Sequence, residues 1–299
     1  MIKVSVIIPT YGGSKSLKDS VASVLGQTYT DFEIIVVDDN NPGTEARINT
    51  ESVMSNFAAD KRVKYIQHDH NRNGSAARNT GFKNSIGNYI CLLDDDDIFL
   101  PEKIEKQVVF LESHPEYGAC YCWRRKGNKE ICGSYTGDLS QQLLEQSFTP
   151  TTCALMIRRT CYEALNGFDE SYRRHQDYEF LLRFFKKYKI GVVEEVLLEI
   201  RGNEVYNQLR GKKLYEMKTR FFSQFEKDID RIDKTSPGFK KRVYASHFSS
   251  ACKELIRYGN MDLAIKAYCG YGVKGGLLFW KYFFGIISSW IIRKIENDS

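Results

Sequence analysis

Residues 89–103 read YICLLDDDDIFLPEK, an apolar run followed by four consecutive aspartates. The run has the length and composition of a buried strand, and Pro101 stands where the first turn of a following helix would begin. Carboxylates repel one another, so four of them after a buried strand are unfavourable unless a cation offsets their charge. In open α/β sheets, ligands bind at this carboxyl end of the strands. The stretch therefore predicts a divalent-metal site at Asp94–Asp97, with a solvated acidic turn as the alternative.

Three further β-branched runs precede this one, and helical patterns separate them. The predicted strands are Val4–Ile8, Glu33–Val37 and Val63–Ile66. The apolar positions of residues 17–25 share one helical face, and residues 73–86 have the composition of another helix, with Gly87 as its stop. The alternation predicts an α/β fold with a mostly parallel sheet and crossover helices.

The first two predicted strands also end in residues suited to a ligand. The first ends in Pro9-Thr10-Tyr11 and two glycines, where the tyrosine ring can stack on a base and the glycines let backbone approach it. The second ends in Asp38-Asp39, and an acidic residue there can accept hydrogen bonds from a base or a ribose. Three strand ends thus predict a nucleotide site at one edge.

These motifs together resemble the family 2 glycosyltransferases. They are I-I-P-T-Y at 7–11, V-V-D-D-N at 36–40, G-x-x-A-R-N-x-G at 74–81 and L-L-D-D-D-D-I-F-L-P-E-K at 92–103. The resemblance covers residues 1–201. It implies the GT-A fold, a Rossmann-like, mostly parallel sheet with flanking helices. It also implies inverting, hexosyltransferase-type transfer from a nucleotide diphosphate-sugar, of the kind used in bacterial surface-polysaccharide biosynthesis.

The resemblance also assigns donor and metal residues. The donor-binding residues that it implies are Pro9, Thr10, Tyr11, Asp38, Asp39, Arg78, Asp94 and Asp95. Among them Thr10, Tyr11 and Asp39 should hold the base, most often uracil, while Arg78 helps to fix that pocket. Asp94 and Asp96 match the two ends of a D-x-D motif, with Asp96 in direct contact with Mn²⁺ or Mg²⁺.

A catalytic base is implied later in the chain. The segments G-F-D-E at 167–170 and H-Q-D-Y-E-F-L-L-R at 175–183 resemble the family's base region, which places Asp177 at the base position. A carboxylate within hydrogen-bond reach can take the proton of an acceptor hydroxyl. The rival carboxylates are Asp169, Glu170 and Glu179, and Asp177 could instead only cap the helix that follows.

One position departs from the family pattern. Many relatives place a metal-binding histidine after a late strand, where this chain has Asn203. Oxygen atoms of Asn203 or Glu204 could serve a hard cation in its place. Alternatively, Asp96 and the diphosphate alone hold the metal.

Charge and cysteine content indicate which kinds of partner and compartment to expect for this chain. The 299 residues carry 43 basic and 38 acidic side chains, a net charge of +5, which argues against nucleic acid as a partner. The eight cysteines contain no C-x-x-C pair, so we expect reduced, buried thiols and a cytoplasmic protein.

Two regions are predicted. Residues 1–210 form the glycosyltransferase domain, with a nucleotide-sugar half at 1–115 and an acceptor half at 116–210; residues 211–299 are helical. Within the latter, residues 273–296 have the pattern of an amphipathic helix in a membrane interface, which predicts peripheral contact with the inner face of the cell membrane. Packing on the protein, or between subunits, is the alternative, and the oligomeric state stays open.

The resulting hypothesis is a metal-assisted single displacement that moves a sugar, most often from a UDP-sugar, to a hydroxyl of a glycan or a lipid-linked acceptor. A sugar-1-phosphate nucleotidyltransferase is the rival enzyme, although no N-terminal glycine-rich stretch with a basic residue is present to hold a triphosphate. A non-catalytic, membrane-associated scaffold with a degenerate nucleotide pocket is the rival from another class.

Overall fold

Nine strands of the described residues form one sheet. The structure is a computed structural model that describes residues 3–13, 15–149, 151–202 and 209–285. The strands are β1 (Val4–Thr10), β2 (Phe32–Asp38), β3 (Val63–Gln67), β4 (Tyr89–Leu92), β5 (Ile98–Phe99), β6 (Tyr117–Lys126), β7 (Lys129–Ile131), β8 (Leu155–Arg158) and β9 (Lys189–Ile200).

The strand order is β3-β2-β1-β4-β8-β6-β9-β5, with β7 paired to β6. The first four run parallel, whereas β8 is antiparallel to both β4 and β6. Because β1, β2 and β4 are parallel neighbours, their carboxyl ends meet at one edge. The predicted α/β class with a mostly parallel sheet is confirmed.

Helices cover the sheet and continue beyond it. They are α1 (Leu17–Leu25), α2 (Glu45–Ser55), α3 (Gly74–Lys83), α4 (Lys103–Ser113), α5 (Ser140–Leu144), α6 (Arg159–Ala164), α7 (Gln176–Phe185), α8 (Gly211–Gln224), α9 (Glu226–Thr235), α10 (Phe239–Arg257) and α11 (Met261–Gly270). Every residue of β2 is buried, as expected for a strand covered on both faces.

Two helices differ from the sequence prediction. The α3 helix ends at Lys83, three residues before the predicted end. Gly87 is not its stop: a Cβ on Gly87 would lie 2.6 Å from the backbone nitrogen of Ser5, so this glycine lets the chain approach β1 closely. The sequence pattern also gave no sign of α2. Its amphipathic pattern is weak, and it buries the charged Arg47, which an apolar periodicity does not reveal.

The chain divides into two compact units. One comprises Met1–Leu143 and Phe148–Asn203, and the other comprises Leu144–Ser147 and Glu204–Ser299. The second unit has an aromatic core in which the Phe222 and Phe248 rings meet edge to face at 5.0 Å. The sequence did not indicate that Leu144–Ser147 belongs with the C-terminal helices.

The structure also shows the state of the cysteines and the lengths of the helices. All eight cysteines are free; six are buried as predicted, but Cys132 and Cys269 are exposed. Within the described part of the chain, every helix is too short or too polar to span a bilayer.

Candidate active site

The end of β1 is tied to the acidic stretch after β4. The Thr10 hydroxyl donates to Asp95 Oδ2 at 2.5 Å, and the backbone N–H of Tyr11 also donates to Asp95. The Tyr11 side chain is 61% exposed, as a ring that stacks on a ligand must be. The next residue, Gly12, has φ +86° and donates its N–H to Asn40 Oδ1 at 2.8 Å. The β1, β2 and β4 ends are therefore joined by hydrogen bonds.

Asp39, at the end of β2, fixes the loop that follows β3. Its Oδ1 lies 2.7 Å from His68 Nδ1 and accepts the backbone N–H of Arg72 at 2.7 Å. Its Oδ2 accepts from the backbone N–H of Asn73 and from Asn71 Nδ2, both at 2.8 Å. The loop therefore engages both oxygens of Asp39. These four contacts use the lone-pair positions, about four in number, that a carboxylate offers.

Asp38 lies beneath this edge rather than on it. It has no exposed surface, its Oδ2 lies 3.0 Å from Arg47 Nε, and Tyr65 donates to it at 2.5 Å. Burial and the bond to Asp38 raise the pKa of Tyr65, so the phenol keeps its proton. Asp38 thus supports the edge, and a direct donor contact by Asp38 stays a prediction. Pro9, within β1, pairs with Val37 of β2.

Arg78 joins two motifs that are far apart in sequence. This side chain of α3 is almost fully buried, and its Nη2 donates to Asp94 Oδ1 at 2.6 Å. Its Nη1 donates to Gln176 Oε1 at 2.7 Å, and Gln176 begins α7 next to Asp177. The guanidinium therefore holds the acidic stretch next to the start of α7.

The four aspartates are held at a cost in electrostatic free energy. Burial, together with the charges of neighbouring aspartates, raises the pKa of Asp95 and of Asp97 to about 7. Burial and the charge of Asp94 also raise the pKa of Asp96. A divalent cation would favour the ionised form of all three carboxylates, and carboxylate oxygens are the ligands that Mg²⁺ and Mn²⁺ prefer. These residues therefore fit a hard metal ion.

One group of possible ligand atoms in the described residues includes the predicted Asp94, and the role of Asp96 stays a prediction. Asp94, Asp97 and Cys153 bring one ligand atom each within 4.8 Å of one another. The Cys153 thiol is buried, its burial raises its pKa well above the usual range, and Asp94 donates its backbone N–H to the sulfur at 3.2 Å. A protonated thiol is a poor ligand for a hard cation, so we assign it to positioning. Nothing in the sequence signalled Cys153.

Asp96 lies against the last described residues before 203. A Cβ on Gly202 would lie 2.5 Å from Asp96 Oδ2. The backbone N–H of Arg201 donates to Asp97 Oδ1 at 3.0 Å, which holds this segment at the acidic stretch. The predicted substitutes for the missing histidine, Asn203 and Glu204, lie outside the described residues.

Asp177 lies in the first turn of α7. The residue before that helix, His175, has φ +59°, a left-handed conformation that is costly for a non-glycine residue and that sequence does not forecast. Burial raises the pKa of Asp177 to about 6; backbone N–H groups of the first turn and the charge of Arg78 oppose that effect. This pKa lies above the ordinary value for an aspartate.

The rival carboxylates are engaged elsewhere. Glu179 is buried and forms an ion pair with Arg183 at 2.6 Å. Glu170 Oε1 accepts from Asn79 at 3.0 Å, and Asp169 Oδ1 accepts the backbone N–H of Ser171 at 2.9 Å. Asp177 has contacts of its own, to backbone N–H groups of the first turn of α7, and its assignment as the base stays a prediction.

A mostly parallel sheet with acidic and aromatic residues at its carboxyl edge defines an α/β nucleotide-binding protein. The chain belongs to glycosyl transferase family 2, whose model matches residues 5–165. An uncharacterized glycosyltransferase of Methanocaldococcus jannaschii is 30% identical over 228 residues, which are 72% of this chain and 77% of that protein. Family membership favours the glycosyltransferase hypothesis over its two rivals.

Two further likenesses are informative. An Escherichia coli protein named UDP-Glc:alpha-D-GlcNAc-diphosphoundecaprenol beta-1,3-glucosyltransferase is 35% identical over 105 residues, or 35% of this chain and 39% of that protein. The structure of Staphylococcus aureus TarS 1–349 in complex with UDP-GlcNAc has a TM-score of 0.64 at 15% identity, covering 96% of this chain and 92% of that chain. The latter shows the GT-A fold. The chain is a glycosyltransferase with a nucleotide-sugar donor.

Proposed function

We propose that the enzyme transfers a sugar from a UDP-sugar to a hydroxyl of a glycan or lipid-linked acceptor, with inversion at the anomeric carbon. One observation carries the proposal: Arg78 joins Asp94 to Gln176 and so places Asp177 beside the acidic edge. The E. coli relative is named for a UDP-sugar, and the TarS structure holds one, which supports uridine as the nucleoside.

In the proposed reaction, the Asp177 carboxylate takes the proton of the acceptor hydroxyl as its oxygen bonds to the anomeric carbon. The bond from that carbon to the diphosphate oxygen breaks in the same step, and UDP departs with the bonding electrons. A carboxylate with a raised pKa is a stronger base than one in water, which suits this role.

The metal residues that we propose are Asp94 and Asp96, with Asp97 beside them. Enzymes of this family typically use a divalent metal, and a bound Mn²⁺ or Mg²⁺ supplies positive charge to the departing diphosphate. Thr10 and Asp95 hold the end of β1, which presents the Tyr11 ring to the uracil. Arg78 orients Asp94 through their ion pair.

Calorimetric titration tests the donor. UDP, GDP, CDP and dTDP are each titrated with Mn²⁺ and again with EDTA. We expect tight binding of UDP that depends on the metal. Equal affinity for all four nucleotides would contradict uridine specificity.

Asp177→Asn tests the base. Loss of general-base catalysis lowers rates by about 10²- to 10⁴-fold, whereas UDP affinity should stay at the wild-type value. Glu170→Gln is the matched control among the rival carboxylates. Wild-type turnover by Asp177→Asn would remove Asp177 from the mechanism.

For the acceptor, we propose a lipid-linked saccharide reached at the inner face of the membrane. The E. coli relative is named for a diphosphoundecaprenol acceptor. Of the fourteen large apolar side chains exposed in the described residues, nine lie between residues 256 and 284. This concentration lies in the second unit and supports a contact with lipid.

The exposed side chains form two stripes that meet. On α11, Met261 and Ile265 are one turn apart, and Tyr268 continues their face. On the helical stretch 277–285, Leu277 is 89% exposed and Trp280 follows on its face. The rings of Tyr268 and Trp280 lie 5.0 Å apart, so the stripes are continuous. The exposed Lys266 and Lys281 flank them, which suits anionic headgroups.

Sedimentation with vesicles tests this contact. We expect binding to phosphatidylglycerol vesicles and little to phosphatidylcholine vesicles. The double variant Leu277→Gln, Trp280→Gln should lose vesicle binding and still bind UDP. Ile86→Gln, the control at an exposed apolar residue of the first unit, should keep both vesicle and UDP binding. If that double variant instead dissociates a dimer and still sediments with vesicles, the surface is a subunit interface.

A further inference from the structure

Arg174, a partly buried arginine, precedes α7 and has no partner among the described residues. Neither a hydrogen bond nor an ion pair to its guanidinium occurs within the described ranges. It lies two residues before Gln176, which Arg78 joins to Asp94, and the charges of Asp94 and Arg78 both act on its pKa. Its partial burial lowers its pKa.

The segment that carries Arg174 is fixed on both sides. Before it, the carbonyl of Tyr172 accepts from the Ser75 hydroxyl at 3.1 Å. After it, Gln176 is bound to Arg78 at 2.7 Å and donates to the carbonyl of Arg173 at 3.1 Å. Arg174 is therefore held by ordered backbone.

Two other partly buried arginines of this unit, Arg183 and Arg158, bind groups of the chain itself. Arg183 binds Glu179 and the carbonyls of Leu165 and Gly167. Arg158 donates to the carbonyl of Tyr117 at 2.8 Å. Both Nη atoms of Arg78 are already used. Arg174 thus presents a guanidinium that ordered backbone holds beside the acidic stretch and that binds no group of the described chain, so it is open to an anion that the folded chain does not itself provide.

We propose that Arg174 binds a phosphate group of a substrate in the active site and acts there as a positioning residue. A guanidinium matches phosphate oxygens in geometry and charge. The inference rests on the proposed function, in which two substrates carry a diphosphate: the donor nucleotide and a diphosphate-linked acceptor. The lone charge near Asp94 would orient one of them relative to Asp177.

The test is Arg174→Gln in the full chain with Mn²⁺, titrated with uridine and with UDP. We expect UDP affinity to fall by about 10- to 100-fold, the range for a hydrogen bond to a charged group, and uridine affinity to stay constant. Unchanged UDP affinity with a raised KM for a diphosphate-linked acceptor assigns Arg174 to the acceptor instead. If neither changes, the proposal is wrong.

Two controls separate this role from a structural one. Arg173→Gln removes the exposed neighbouring charge and should leave both affinities unchanged. Arg174→Lys should restore part of the loss because the charge is kept. Arg174→Gln should not lower Tm, since it removes no internal contact; a lowered Tm would indicate a structural arginine. A wild-type protein that binds no UDP would count against the proposed function, and not against Arg174 alone.

Discussion

Asp177 and Asp94 show how neighbours divide the roles of two carboxylates. Arg78 lies 2.6 Å from Asp94, which stabilises its charge. Asp177 has only the more distant effect of that guanidinium, and its burial dominates. The surroundings of the two carboxylates therefore differ: an ion pair holds Asp94, whereas burial raises the pKa of Asp177.

The pH profile should report this difference. Asp177 is a base only when ionised, and its pKa is about 6. With Mn²⁺ saturating, kcat/KM should rise with pH to a plateau above about 7 and fall about tenfold per unit below 6. Steady-state rates between pH 5 and 8 provide the measurement. A flat profile across this range would contradict the assignment of Asp177.

Arg78→Lys should damage the bridge although the charge is kept. A lysine cannot reach Asp94 and Gln176 together with a planar fork. We expect kcat/KM to fall by about 10- to 100-fold, since hydrogen bonds to charged groups contribute about 1.5–3 kcal/mol. The matched control is Arg62→Lys, at a half-buried arginine that pairs with Asp60 away from the acidic stretch. Equal kinetics for the two variants would show that the bridge is dispensable.

At the scale of elements, the site depends on how closely the strands and their connections pack. A Cβ on Gly87 would meet backbone atoms of both Val4 and Ser5, which cannot move without separating β1 from β4. The Gly87 N–H also donates to Ser5 Oγ at 2.8 Å. This contact sets the distance between two strands that end in site residues.

Gly87→Ala should therefore lower the free energy of unfolding by about 1–3 kcal/mol, as overpacking in a core does. Gly133→Ala is the control, because its new methyl would make only ordinary contacts at 3.9 Å or more. Denaturant unfolding of both variants gives the comparison. If Gly87→Ala were as stable as Gly133→Ala, β1 and β4 would be able to move apart at little cost in free energy.

At the scale of the whole molecule, folding brings four aspartates together, which lowers stability because their charges repel one another. A bound metal ion should offset part of this repulsion. A ligand at a hundred times its dissociation constant stabilises by about 2.7 kcal/mol. Mn²⁺ should therefore raise Tm by roughly 5 °C or more. Asp96→Asn should abolish most of this rise. In EDTA, the same variant should be at least as stable as the wild type, because it removes a like charge.

Thermal unfolding with Mn²⁺ or EDTA measures both effects. Asp60→Asn is the control, since Asp60 is a surface carboxylate paired with Arg62. It should keep the full response to the metal. A response to Mn²⁺ that persists in Asp96→Asn would assign the cation to other ligands.

The sequence by itself determined the four parallel strands β1 to β4 and the motifs at their carboxyl ends. Apolar runs and helical spacing are local properties, and parallel strands necessarily bring their carboxyl ends together, so Tyr11, Asp39 and Asp94 could be expected at one edge. The α2 helix was not predicted from the sequence, because its buried face carries Arg47 and a search for apolar periodicity does not detect a buried charged residue.

Only the tertiary structure decided which of these residues touch. The bridge from Asp94 through Arg78 to Gln176 joins positions up to 98 residues apart, and Cys153 meets Asp94 across 59. The left-handed conformation of His175 and the pKa of Asp177 arise from packing around the start of α7. Hydrogen bonds act over about 3 Å and charges over a few more. Sequence spacing cannot supply these distances, because they depend on how separate elements pack.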